Sequence, residues 1–97
     1  MNAAQSYLRL LGMRGRDKVT GFEGVITSVG FDLYGCIQFI LNPGADKDGK
    51  LREQVWFDTN RVEITDPMRV MPVPDFPEFN TASNKEKGGE VKPIPSR

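Results

Sequence analysis

Between Val25 and Thr65 the apolar residues come only in short runs, each cut off by a turn before a helix of useful length can form. Val25–Phe31 is followed by Asp32-Leu33-Tyr34-Gly35, and Cys36–Leu41 by Asn42-Pro43-Gly44. Leu51–Asp58 gives way at Thr59-Asn60 to Arg61–Thr65. The runs are rich in β-branched and aromatic residues, and in the last of them Val62 and Ile64 alternate with Arg61, Glu63 and Thr65, which puts both apolar side chains on one strand face. A further strand enters at Arg16–Thr20 and turns through Gly21-Phe22-Glu23-Gly24. Asp48-Gly49, in the loop Ala45–Lys50, is a tight-turn dipeptide. Five short strands with no room for a crossover helix predict an all-β antiparallel barrel over 12–65.

The expected core is Val19, Phe22, Ile37, Phe39, Val55, Phe57, Val62 and Ile64, joined by Val25 and Val29. Residues 1–11 form a leader in which Ala4, Tyr7, Leu8 and Leu11 have helical spacing; a docked helix and a frayed terminus are both open. The barrel unit, about 55 residues, sits near the lower limit for a single core, which makes association a natural source of extra stability.

Asp66–Phe79 obeys a different grammar. Pro67, Pro72, Pro74 and Pro77 rule out a helix or a central strand. Met68, Val70, Met71, Val73, Phe76 and Phe79 make the same stretch too apolar for an inert linker. A proline-stiffened apolar segment loses little entropy on docking, so these six side chains are the candidate partner-binding arm, with docking in cis and in trans both open. The polar segment 80–97 has the composition of a flexible tail.

Charge excludes several functions. Residues 1–65 carry eight basic and eight acidic side chains, without the basic excess of a protein that lives by phosphate contacts. Arg14, Arg16 and Lys18 alternate along the entry to the first strand, and Tyr34 and Trp56 offer stacking surfaces, so these five are the candidate nucleic-acid or ligand contacts. The simpler reading is a charged edge strand guarded against aggregation.

No catalytic set emerges, and no enzyme activity, metal or cofactor is expected. The chain has no His, so Cys36 lacks the usual partner base, and a strand cysteine is expected to be buried. Asp46-Lys47-Asp48-Gly49-Lys50 opens like a calcium loop, but its fifth, sixth and twelfth positions are Lys50, Leu51 and Phe57. The carboxylate pairs Asp46/Asp48 and Asp58/Glu63 fall at turn and outward strand positions and read as solvated. Nothing approaches a membrane span, and Met1–Leu11 lacks the features of a signal peptide.

The stretch Asp17–Val25 resembles the opening of SH3-like and KOW-type barrels, in which a strand enters a Gly-x-x-Gly turn before a β-branched second strand. Lys18–Gly24 (KVTGFEG), Gly35–Gln38 (GCIQ) and Trp56–Ile64 (WFDTNRVEI), in that order, resemble small proteins encoded by tailed bacteriophages and prophages. The likeness spans roughly Leu11–Ile64. It implies a compact SH3-like barrel of viral source and transfers no site residues. The resulting expectation is a protein–protein interaction module, a virion or assembly component partnered by other phage structural proteins or by itself, in the virion or the infected cytoplasm. A KOW-like nucleic-acid or transcription-complex module, and a counter-defence protein that captures a host factor or nucleotide signal, are the alternatives.

Overall fold

The computed structural model describes residues 3–76. A short helix α1 (Ala3–Leu8) precedes five strands, β1 (Arg14–Asp17), β2 (Glu23–Phe31), β3 (Ile37–Asn42), β4 (Val55–Asp58) and β5 (Val62–Asp66). A single 3-10 turn, Thr59–Arg61, links β4 to β5. All neighbouring strands are antiparallel, in the order β4-β3-β2-β1-β5. The all-β expectation therefore holds. The closed barrel does not: β4 and β5 are the two edges, and no ladder joins them among the described residues.

The strands follow from turn chemistry repeated three times. Asp32 Oδ1 accepts from the amides of Tyr34 (2.9 Å) and Cys36 (2.8 Å), while Gly35 N donates to the Asp32 carbonyl. Asp46 does the same with Asp48, Lys50 and Gly49. Gly35 and Gly49 both take positive φ, which closes the turn at no steric cost. Asp17 Oδ2 accepts from Thr20 N and Oγ1, and the Asp17 carbonyl accepts from Gly21 N. The short carboxylate thus ends β1 at Asp17 and β2 just before Asp32 by bonding amides that would otherwise continue the strand, and at Asp46 it closes the loop between the bridged residues Ala45 and Leu51.

Sheet curvature is written in a glycine pair. Gly15 and Gly24 face each other across β1 and β2, and both are buried. A Cβ at Gly24 would lie 2.6 Å from the Asn42 backbone, and one at Gly15 would lie 2.9 Å from Val62 Cγ1. Only bare backbone lets β2 fold this closely onto β3, and a register shift between Ile26 and Ser28 bends the strand further.

The concave face encloses Ile26, Phe39, Leu41 and Phe57, with Tyr7, Leu10, Leu11, Phe22, Val29 and Val62 packed around them. Phe39 and Phe57 were expected there. Ile26 and Leu41 were not, although both are fully buried. The expectation for Val19 is corrected outright: it is 72% exposed. β1 stops at Asp17 because that carboxylate caps the turn, leaving Val19 at the turn tip. Val55 and Ile64 lie on the edge strands, where one flank is uncovered, and are exposed. Phe22, Val25, Val29, Ile37 and Val62 are half-buried. Leu51, assigned to a strand from 51 to 58, makes only an isolated bridge to Ala45. Cys36 is also exposed rather than buried, because it is the closing residue of the Asp32 turn.

Asp17 is fully buried, the one buried charged residue among those described. Arg61 grips it with both prongs, Nε to Oδ1 at 2.8 Å and Nη2 to Oδ2 at 2.7 Å. The same guanidinium lies 5.4 Å from the centre of the Phe57 ring, which packs on Phe22. Hydrogen bonds from Arg61, then Thr20, hold the Asp17 carboxyl well below the ordinary carboxylate range, against the opposing effect of burial.

Three outcomes test this account. Leu41→Ala should cost about 2–5 kcal/mol in urea unfolding, and Gly24→Ala about 1–3 kcal/mol through overpacking. A lowered folded pKa means that Asp17 stabilises fully above the unfolded carboxyl value of about 3.9 and stops doing so as the acid form takes over. Wild-type urea midpoints should therefore fall as pH drops from about 5 toward 2. Asp17→Asn should be less stable at neutral pH and show a shallower acid dependence.

Candidate interaction surfaces

The apolar arm begins where β5 ends. Asp66 Oδ1 accepts from Met68 N (2.9 Å), turning the chain toward the N-terminal segment. Val70 N then donates to the Gly12 carbonyl at 2.7 Å, and Arg69 Nη1 to the Leu11 carbonyl at 2.8 Å. Gly12 (φ +88°) lies so close to the Met71 carbonyl that no Cβ would fit. The arm is thus fastened in cis by one backbone hydrogen bond and the Arg69 side chain, while Met68, Val70 and Met71 turn their side chains to solvent. Val73 and Phe76 are half-buried; Phe79 and the segment 80–97 lie outside the described residues. Sequence patterning identified the apolar side chains here but not the anchoring, which ties Arg69 and Val70 to Leu11 and Gly12, 58 positions away.

A second surface lies at the β2–β3 hairpin. Leu33 and Tyr34 project from the Asp32 turn at 90% and 86% exposure. Beside them a cleft of about 330 Å³ is lined by Tyr7, Gly35, Cys36, Ile37, Asp58, Thr59 and Asn60. The Tyr7 ring meets Phe31 edge-on and tilts against Phe39, seating α1 on this end of the sheet. The Asp32 carboxylate, then partial burial and Asp58, push the Cys36 thiol upward, which disfavours the reactive thiolate.

Third, Arg9 and Arg69 flank a groove of about 480 Å³ with Pro72, Val73, Pro74 and Asp75. No local pattern marks this pairing, because Arg9 follows α1 and Arg69 belongs to the arm. Their proximity is created by the Val70–Gly12 hydrogen bond.

The candidate nucleic-acid contacts do not converge. Arg14 and Arg16 do share the exposed face of β1. Arg16, however, is taken by Glu63 (Nη2 to Oε2, 2.6 Å) and lies 3.7 Å from Glu23. Lys18 belongs to the turn beyond β1, its amide bonded to the Arg61 carbonyl. Tyr34 sits at the hairpin tip. Trp56 lies on the outer face of β4, with its benzo ring reaching across to Gly30, where a Cβ would stand 3.1 Å from it. Two strands separate Trp56 from Arg14 and Arg16.

Comparison of the chain with family models, curated proteins and solved structures finds no match. No helix among the described residues is long and apolar enough to cross a membrane.

The electrostatics at Cys36 carry a prediction. Alkylation by iodoacetamide should be slower at neutral pH than for a free cysteine in a peptide, despite the residue's exposure. Asp58→Asn, which leaves the Asp32 turn intact, should speed it.

Proposed function

We propose that this chain is a non-enzymatic protein–protein interaction module: a bacteriophage virion or assembly component whose body is SH3-like and whose 66–79 arm docks on a neighbouring subunit. The observation that carries this reading is the split character of the arm. Around Arg69–Met71 its backbone is already fixed by Val70 N, Arg69 Nη1 and the close approach of Gly12, so little further ordering is needed there on binding. Its side chains are left uncovered, Met68 at 73% and Met71 at 66% exposure. An immobilised backbone with unspent apolar side chains is the arrangement expected of a docking strip, and methionine adapts readily to irregular partner surfaces.

The SH3-like reading of the body is supported by three features. They are the strand order β4-β3-β2-β1-β5, the long bent β2 shared between both halves of the sheet, and the one-turn 3-10 link into β5. The likeness of Lys18–Gly24, Gly35–Gln38 and Trp56–Ile64 to tailed-phage proteins supports the viral source and a place in the virion or the infected cytoplasm. Charge argues for a protein partner over nucleic acid: Arg16 is neutralised by two carboxylates, and the aromatic residues lie apart from the basic strand.

Mass spectrometry of purified particles, combined with peroxide footprinting, tests the reading. The chain should be present in particles, and Met68 and Met71 should oxidise several-fold more slowly there than in the isolated protein. Absence from particles, or equal oxidation in both states, would contradict it.

A further inference from the structure

Zero net charge conceals a separation of signs. From Val19 to Asp46 the chain has no Lys or Arg, and from Glu53 to Asn60 it has none either. The hairpin end therefore carries Asp32 and Asp58 with no cation among its own residues. Arg9 and Arg69 stand together on the groove beside the arm, with Asp75 as the only acid in its lining. One surface is a protruding acidic-based knob and the other a cationic recess.

The two also match in shape and chemistry. The knob is stiff: Asp32 holds the amides of Tyr34 and Cys36, and Gly35 closes the turn, so Leu33 and Tyr34 are presented with little backbone entropy to lose. No described residue hydrogen-bonds the Tyr34 hydroxyl or packs on its ring. The groove is walled by Pro72, Val73 and Pro74, which are rigid and apolar, and its 480 Å³ falls within the range of about 300–1,000 Å³ that seats sizeable ligand groups. Arg69 is pinned by its bond to the Leu11 carbonyl, and Arg9 is exposed to solvent. A guanidinium stacks well on a tyrosine ring, and Asp32 at the base of the knob supplies the opposite charge.

We propose that the protein self-associates, the Leu33–Tyr34 tip of one copy seating in the Arg9–Arg69 groove of a second. This rests on the interaction-module reading and names one partner within it, a second copy of the same chain. Each copy brings one knob and one groove, so the contact either closes on itself through a two-fold axis or propagates head to tail. A contact built from one turn and one groove is small, so association should depend on concentration and, through its charges, weaken with salt.

Sedimentation and light scattering of the full chain over a concentration series test the proposal. The wild type should pass from monomer to oligomer, with weaker association at high salt. Tyr34→Ala and Arg9→Glu, both exposed enough to leave the fold intact by circular dichroism, should each weaken self-association by about tenfold or more. Mixing the two variants should restore one intact contact per pair and so give heterodimers that neither variant forms alone, because Arg9→Glu keeps an intact knob and Tyr34→Ala an intact groove. A wild type that stays monomeric, variants that associate like wild type, or a mixture that does not recover would each overturn the proposal. A monomeric chain found in particles with protected methionines would remove self-association alone. A self-associating chain absent from particles would remove the virion reading alone.

Discussion

The carboxylate of Asp17 lies in the interior with all its stabilisation supplied by three groups: the fork of Arg61, the Thr20 hydroxyl and the Thr20 amide. A buried charge is tolerable only when its hydrogen bonds are complete, and here they draw together segments distant in sequence. Arg61 belongs to the turn leading into β5, whereas Asp17 ends β1. Their pairing fixes the β1–β5 edge, and the Lys18 amide bound to the Arg61 carbonyl at 2.7 Å repeats the tie in the backbone. Because Arg61 also lies over Phe57, which packs on Phe22, the polar clamp is continuous with the apolar core. In a sheet whose edges β4 and β5 carry no ladder to each other, this clamp and the Phe22–Phe57 contact join the two ends.

From that clamp the outward-facing surfaces follow. With β1 stopped at Asp17, β5 runs antiparallel beside it to Asp66, and the chain leaves the sheet next to Gly12. There the arm meets a glycine whose missing Cβ admits the Met71 carbonyl. The same docking brings Arg69 to the groove beside Arg9. At the other end of β2, the Asp32 turn raises Leu33 and Tyr34 clear of the sheet. These outward-facing surfaces are thus consequences of where short strands are made to end.

Turn chemistry was the most legible part of the sequence. Asp32-Leu33-Tyr34-Gly35 and Asp48-Gly49 marked two hairpins, and the β-branched runs marked β2, β3 and β5, because these signals are local. The core was only partly legible. Phe39 and Phe57 stood out by size, but Ile26 and Leu41 are interior because a register shift in β2 and the glycine pair Gly15/Gly24 curl the sheet over them. Val19 misled, since its exposure is set by a capping carboxylate two residues earlier. The Asp17–Arg61 pair was not legible, because nothing local reveals a pair separated by 44 positions. For the same reason Arg9 and Arg69 were invisible as a unit, and Arg16 looked free until β5 brought Glu63 beside it.

A double-mutant cycle on Asp17 and Arg61, read by urea unfolding at neutral pH, measures the clamp most directly. With Asp17→Asn, Arg61→Met and the double variant compared, each single change should be strongly destabilising, and the double variant should lose much less than their sum. Strictly additive losses would mean that the two residues act independently, contradicting the central place given to their pairing.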